Sequence, residues 1–174
     1  MNILFLTILK IDTIADRGVY PDLMRKFHRE GHNVFIVTSA ERRFRQNTML
    51  STGKAIKILK IRTLNFQKTN ILEKWVSTLL VNYQYTKAIR RFFPQVSFDL
   101  ILYSTPPITF TRLVARLKKK CKSVSYLLLK DIFPQNAVDL ELIRGGGLIH
   151  KYLRRQEKKL YEVSDFIGCM SQAN

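Results

Sequence analysis

The chain has 174 residues, with 30 Lys and Arg against 13 Asp and Glu for a formal net charge of +17, and it is 46% hydrophobic and 11% aromatic. That apolar content excludes a disordered polypeptide, and the length suits one domain that buries about 70% of its unfolded surface in a single core. Two cysteines, Cys121 and Cys169, with no CxxC or Cys/His cluster, exclude a disulfide framework and a structural zinc site, and they point to a reducing compartment.

Ile3 to Leu6 is a short apolar run that predicts a buried parallel strand. A polar loop, 10–18, follows it. Pro21 suits the first turn of a helix, Leu23, Met24 and Phe27 give that helix an apolar stripe, and Gly31 stops it. Asn33 to Thr38 predicts a second strand, which completes a right-handed βαβ unit. Lys54 to Arg62 alternates and predicts a more exposed strand. Leu72 to Phe93 predicts a long helix with Leu72, Trp75, Val76, Leu79, Leu80 and Tyr83 on one face, ended by Pro94. Asp99 to Ser104 is a strand, Thr105-Pro-Pro a turn, and Phe110 to Lys120 a helix with Phe110, Leu113, Val114 and Leu117 inward. Ser123 to Leu129, Ile149 to Val163 and Phe166 to Met170 predict a strand, a helix and a last strand. The order implies an α/β fold, Rossmann-like, with a mostly parallel sheet and helices on both faces, formed by residues 1–174 as one domain. Ligands of such sheets sit beyond the carboxyl ends of the strands, which places loops 7–20, 38–53, 104–109 and 130–148 on the functional edge.

No uncharged stretch exceeds that from Trp75 to Thr86, and it contains Ser77, Thr78, Asn82 and Gln84. A spanning helix needs about 20 mostly apolar residues. The N-terminus lacks the basic flank and cleavage site of a signal peptide. A soluble, cytoplasmic protein is expected.

Residues 42–130 hold nineteen basic side chains against Glu73 and Asp99, while both flanking segments balance. Arg42, Arg43 and Arg45, Arg90 and Arg91, and Lys118, Lys119 and Lys120 form clusters. Such a field attracts phosphates, nucleic acid or an anionic membrane surface; a solvated basic surface with no partner is the simpler alternative.

No GxGxxG, GxxxxGK[ST] or GxSxG occurs, which argues against a nicotinamide or flavin cofactor, a P-loop enzyme and an α/β-hydrolase. His28, His32 and His150 are scattered, and no metal site is expected. The loop Asp12 to Tyr20, with Asp16, Arg17 and Gly18, precedes a helix N-terminus. It reads either as an anion site built on free amides or as an ordinary loop. The constellation Lys130, Asp131, Gln135, Asn136 and Asp139 begins where an apolar strand ends. A carboxylate there can orient or deprotonate a hydroxyl, or the segment can be a capped loop.

Four stretches carry a family likeness: Asn2-Ile-Leu-Phe-Leu; Gly18-Val-Tyr-Pro-Asp-Leu-Met-Arg-Lys-Phe through His32; Ser104-Thr-Pro-Pro-Ile-Thr; and, most specific, Lys130-Asp-Ile-Phe-Pro-Gln-Asn-Ala-Val-Asp-Leu. Over nearly its whole length the chain resembles the N-terminal half of GT-B glycosyltransferases of the family-4 type, and most of all bacterial capsule and O-antigen transferases of the amino-sugar branch. Phe133 stands where many relatives have Trp. The resemblance implies an acceptor-side domain whose nucleotide-sugar domain is absent from this chain. It implies a nucleotide sugar as co-substrate, no resident cofactor or metal, and no activity of this half alone. It places Asp131 at the acceptor as the catalytic group. Asp16, Arg17, Gly18, Tyr20, Thr105, Lys130, Gln135 and Asn136 would line the cleft between acceptor and donor. The acceptor would be a polyprenyl-diphosphate-linked saccharide for surface polysaccharide (capsule or lipopolysaccharide). The basic clusters would hold the protein peripherally at the inner membrane face, on anionic lipid. The alternative is a basic α/β module for nucleic acid or for a protein partner. No nucleic-acid motif is present, so nucleic acid is not the expected partner.

Overall fold

The computed structural model describes residues 1–53, 56–66, 71–130 and 133–169. Its centre is set by the alternation of one strand. In β1 (Asn2–Leu6), Ile3 and Phe5 face one side of the sheet and Leu4 and Leu6 the other, and all four are buried. On the first side lies α1 (Val19–Arg29), which packs Met24 against Phe5, Val34, Ile36 and Ile58. On the second side lie α2 (Ile71–Phe92), α3 (Thr111–Cys121) and α5 (Leu148–Val163). The remaining strands are β2 (Asn33–Glu41), β3 (Met49–Thr52), β4 (Ile56–Thr63), β5 (Leu100–Ser104), β6 (Val124–Leu129) and β7 (Phe166–Cys169). Their order is β3-β4-β2-β1-β5-β6-β7, with only β3 antiparallel among these strands. The chain winds outward from β1 to β4, then returns to β5 and winds the other way. The reversal lies between β1 and β5, where sheets of this kind open a crevice at their carboxyl ends.

The expected α/β sheet with helices on both faces is therefore present. Three local readings need correction. The loop read over 38–53 contains the end of β2 and the whole of β3. β3 was invisible because only Leu50 of its four residues is even half-buried, so an edge strand left no alternation to read. The segment read as loop over 130–148 contains α4 (Gln135–Asp139), a single turn too short to show a helical period. The third correction concerns α2. Val76, Leu79, Leu80 and Tyr83 are exposed, and the buried face is Ser77, Val81, Tyr85, Ala88 and Ile89. Apolar residues occur almost all round this helix, so spacing alone does not choose a face. The choice is made by polar anchors. Ser77 donates to the Asn65 carbonyl at 2.8 Å, and the fully buried Tyr85 hydroxyl donates to the Thr7 carbonyl at 2.7 Å. Burial also pushes the Tyr85 hydroxyl well above its ordinary pKa. The side chains of Leu72 and Trp75 lie outside the described residues.

Among the described residues β7 pairs with β6 alone, and one carboxylate just before it anchors its start. Asp165 accepts from the Ser125 amide at 2.8 Å, the Ser125 hydroxyl at 2.9 Å and Lys118 Nζ at 2.7 Å. Lys118 first, then the Ser125 donors, hold the Asp165 carboxyl below its ordinary pKa. Ser125 is fully buried, so Asp165→Ala strips a buried amide of its acceptor, a loss of about 1–3 kcal/mol. The expected result is a melting temperature lower by roughly 2–4 °C for each kcal/mol. Because the folded pKa is depressed, the contribution is complete above about pH 3.9, the ordinary Asp value, and is lost as pH falls from there through the folded value. Parent and variant should converge in stability on acidification; a constant gap down to low pH would refute the assignment.

Candidate functional site

The loop after β1 is fixed from β2. Thr38 Oγ1 accepts from the Ile11 amide at 3.1 Å and donates to the Leu9 carbonyl, while the Ser39 hydroxyl donates to the Ile8 carbonyl. Further along, the Asp16 carboxylate accepts from the amides of Asp12 and Thr13 at 3.1 and 3.2 Å, closing a tight turn. Arg25, one helical face away on α1, donates to the carbonyls of Ile14 and Asp16 and pairs with Asp22. The loop ends at Gly18, whose φ of 150° is a conformation open to glycine. Gly18 is the N-cap of α1, and no side chain caps that end. The amides of Val19 and Tyr20 are thus free of intrahelical partners, and the positive end of the helix is uncovered.

Opposite this helix end, on the α1 side of the sheet, β6 and β7 carry no covering helix among the described residues. Tyr126 and Leu128 are half-buried there instead of fully buried. The result is a cavity of about 500 Å³. Its walls are Leu9 to Ile11, Asp16 to Pro21 and Leu23 from one side, and Tyr126, Leu128 to Lys130, Gly168 and Cys169 from the other. Arg17 and Lys130 reach it from opposite walls, and neither has an ion-pair partner among the described residues. Lys10 is different. It pairs with Asp12 at 2.7 Å and stacks over the Phe44 ring at 4.4 Å. Lys60 reaches the same carboxylate at 2.9 Å. The hydrogen bond from Lys10, reinforced by Lys60, holds the Asp12 carboxyl below its ordinary value. Positive charge at the cavity thus comes from Arg17, Lys130 and the α1 amides, against the single carboxylate of Asp16, which two loop amides hold. That combination takes an anion of the size of a phosphate or diphosphate.

Of the residues singled out in the sequence, Asp16, Arg17, Gly18, Tyr20 and Lys130 meet in this cavity. The Tyr20 ring packs on Phe5 at a tilt of 45° with centroids 5.0 Å apart, which fixes one wall. Thr105 stands behind the wall: it is buried, and its Oγ1 accepts from the Lys130 amide at 3.1 Å, which places that residue. Asp131 lies outside the described residues. Gln135 and Asn136 sit on α4 and do not line the cavity. Gln135 donates to Asp139 at 2.8 Å, and Asn136 Oδ1 is buried without a hydrogen-bond partner among the described residues. The basic clusters do not share one surface. Arg42, Arg43 and Arg45 follow β2 at the carboxyl edge, whereas Arg90, Arg91 and Lys118 to Lys120 end α2 and α3 at the opposite edge. Some are engaged: Arg43 pairs with Glu41, and Lys120 donates to the Pro94 carbonyl at 3.0 Å. Among the described residues, no group of three or more His, Cys, Asp or Glu is placed to hold a metal ion, and no helix is long and apolar enough to cross a membrane.

Sequence reasoning missed Lys10, Arg25, Tyr126 and Gly168. Gly168 carried a signal only in space. A Cβ there would stand 2.3 Å from Tyr126 Oη and 2.7 Å from its ring. The Tyr126 ring in turn stacks on Phe166 with centroids 6.3 Å apart. Gly168→Ala must displace this ring. The expected cost is about 1–3 kcal/mol, typical of overpacking, read as a lower melting temperature. An unchanged melting temperature would mean that the ring turns aside freely.

No protein-family model and no curated protein sequence matches the chain. Solved structures do. A structure described as trehalose-6-phosphate from E. coli bound with UDP-2-fluoro glucose superposes with a TM-score of 0.62 at 10% identity, over 99% of this chain and 40% of that one. A trehalose-6-phosphate synthase, OtsA, gives 0.62 at 11% identity, over 99% and 41%. The apo OtsA structure gives 0.59 at 13% identity, over 98% and 40%. The fold is that of the Rossmann-like half of a GT-B glycosyltransferase. The chain spans about 40% of the length of these matched structures.

Proposed function

We propose that this chain is the acceptor-side half of a glycosyltransferase that moves a sugar, of the amino-sugar type, from a nucleotide-sugar donor to a lipid-linked saccharide. The observation that carries the reading is the cavity at the carboxyl edge of a GT-B-type half, with Arg17, Lys130 and the open end of α1 converging on it. In the transfer, the bond from the anomeric carbon to the donor diphosphate breaks. A new bond forms to an acceptor hydroxyl, which loses its proton, and the nucleoside diphosphate leaves with added negative charge. Fixed cations and helix amides aimed at that charge stabilise it more in the transition state than in the ground state. Asp131, next in the chain after Lys130, is assigned to the acceptor hydroxyl as the base. The likeness of the sequence stretch 130–140 to capsule and O-antigen transferases is what supports a polyprenyl-diphosphate-linked acceptor, handled at the cytoplasmic face of the membrane. The nucleotide sugar is a co-substrate, and no resident cofactor is assigned.

The test is transfer of labelled sugar from a panel of nucleotide sugars to polyprenyl-diphosphate-linked saccharides. It is run with the 174-residue chain alone and with the nucleotide-binding half supplied. The chain alone should fold and transfer nothing, because half a cleft loses the positioning of two substrates. The two halves together should transfer. Turnover by the chain alone would refute the half-site reading. No transfer by the assembled halves from any donor would refute the glycosyltransferase reading.

A further inference from the structure

A second, smaller cavity lies at the amino edge of the sheet, between the last turns of α2 and α3. It shares no lining residue with the cavity at the carboxyl edge. Its floor is apolar: Ile89, Phe93, Phe98, Leu113 and Leu117 line it, and all five are buried. The space is held open from behind. The Phe93 and Phe98 rings meet edge to face with centroids 6.3 Å apart, and each stands edge to face on Phe35, at 5.2 and 5.3 Å. Rings fixed in this way cannot turn in to fill the gap. The volume is about 160 Å³. A cavity of about 150 Å³ lined by Leu, Ile and Phe stays free of water and takes a benzene ring.

The mouth is of the opposite character. Arg90 reaches it from α2, and Arg116 and Lys120 from α3. Arg90 and Arg116 are exposed and have no ion-pair partner among the described residues. Lys120 is placed by donation to the Pro94 carbonyl at 3.0 Å, which leaves it further N–H donors. Acids nearby do not offset this charge. α3 contains none, the single acid of α2 is Glu73 in its first turn, and Asp99, next after Phe98, accepts from the Asn2 amide at 2.6 Å. The carboxyl ends of the two helices oppose the field with about half a charge each, against three whole positive charges. An inorganic anion would satisfy only the mouth, and an uncharged ring only the floor. A ligand that satisfies both carries a compact apolar body on one anionic group.

We propose that the α2–α3 cavity binds a small aromatic carboxylate. The ring lies on the apolar floor, and the carboxylate is held between the guanidinium groups of Arg90 and Arg116, whose planar forks suit its two oxygens. The site is separate from the transfer reaction proposed above, and its test needs no activity. The 174-residue chain is titrated with benzoate, and in parallel with benzyl alcohol, acetate and octanoate, by calorimetry and by the shift in melting temperature. Benzoate should bind once per chain. Benzyl alcohol keeps the ring without the charge, and acetate the charge without the ring, so each should bind about tenfold or more weakly than benzoate. Octanoate, with a body longer than the cavity, should also bind more weakly. Arg90→Gln with Arg116→Gln should weaken benzoate about tenfold or more, with the melting temperature of the free protein unchanged because both side chains are exposed. Arg17→Ala with Lys130→Ala should leave benzoate binding as it is. The absence of saturable benzoate binding in both measurements would overturn the proposal, as would equal affinity for acetate and benzoate. Full binding by the Arg90 and Arg116 variant would overturn it too. Loss of binding in the Arg17 and Lys130 variant would overturn it by moving benzoate to the other cavity. Octanoate binding more tightly than benzoate would replace the ring-sized site with an open groove for acyl chains, and would also overturn it.

Discussion

Asp131→Asn is expected to lower sugar transfer by about 10²-fold or more in the assembled enzyme, with the melting temperature nearly unchanged. Two roles compete for this carboxylate, and they differ in magnitude and in what asparagine replaces. Proton removal by a positioned base contributes 10²–10⁴-fold in rate. A loop cap contributes about 1 kcal/mol of stability and nothing to chemistry. Asparagine caps as well as aspartate but cannot take a proton, so the substitution separates the roles. Residue 131 follows Lys130, whose backbone amide is held by Thr105 at the cavity wall. A kcat loss at saturating donor and acceptor, together with an unchanged melting curve, is the result required. A variant that keeps its rate, or loses it only by unfolding, would return Asp131 to a structural role.

The parallel strands were legible because two-sided burial writes long apolar runs: 3–6, 33–38 and 99–104 needed no context. The inward faces of α1 and α3 were legible as well. In α3, Leu113, Val114 and Leu117 are buried, and every other residue of its first two full turns is polar, charged or alanine. α2 was misread for the opposite reason. Its sequence offers two apolar faces, and the one that packs was decided by hydrogen bonds from Ser77 and Tyr85 to residues 12 and 78 positions away. No local pattern contains that information. The site shows the same division. Gly18 before a helix and Lys130 at a strand end are readable from their neighbours in the chain. Gly168 matters through the Tyr126 ring that lies over it, and Arg25 matters through two loop carbonyls nine and eleven residues away. Gln135 and Asn136 were grouped with Lys130 because they are near it in sequence, but α4 turns them away from the cavity walls.

Arg17→Ala combined with Lys130→Ala is expected to weaken the nucleotide-sugar donor by about 10²–10³-fold. Hydrogen bonds to charged groups contribute about 1.5–3 kcal/mol each, and 1.4 kcal/mol is tenfold in affinity. Two cations that share one anion are not independent, so the pair falls short of the sum of its singles. Because the diphosphate gains charge as it leaves, the loss in kcat/KM should exceed the loss in donor binding. A long-range field from +17 charges is the rival explanation, and it makes a different prediction. Arg90→Ala with Arg91→Ala removes the same charge at the other edge of the sheet, beyond strands of five or more residues, or roughly 17 Å. Fields between exposed charges are screened over about 8 Å at physiological ionic strength. Direct contact therefore requires a large loss for the Arg17 and Lys130 pair and almost none for the Arg90 and Arg91 pair at that salt. Equal losses from the two pairs would mean that the donor responds only to the overall charge, and the cavity would lose its claim on the diphosphate.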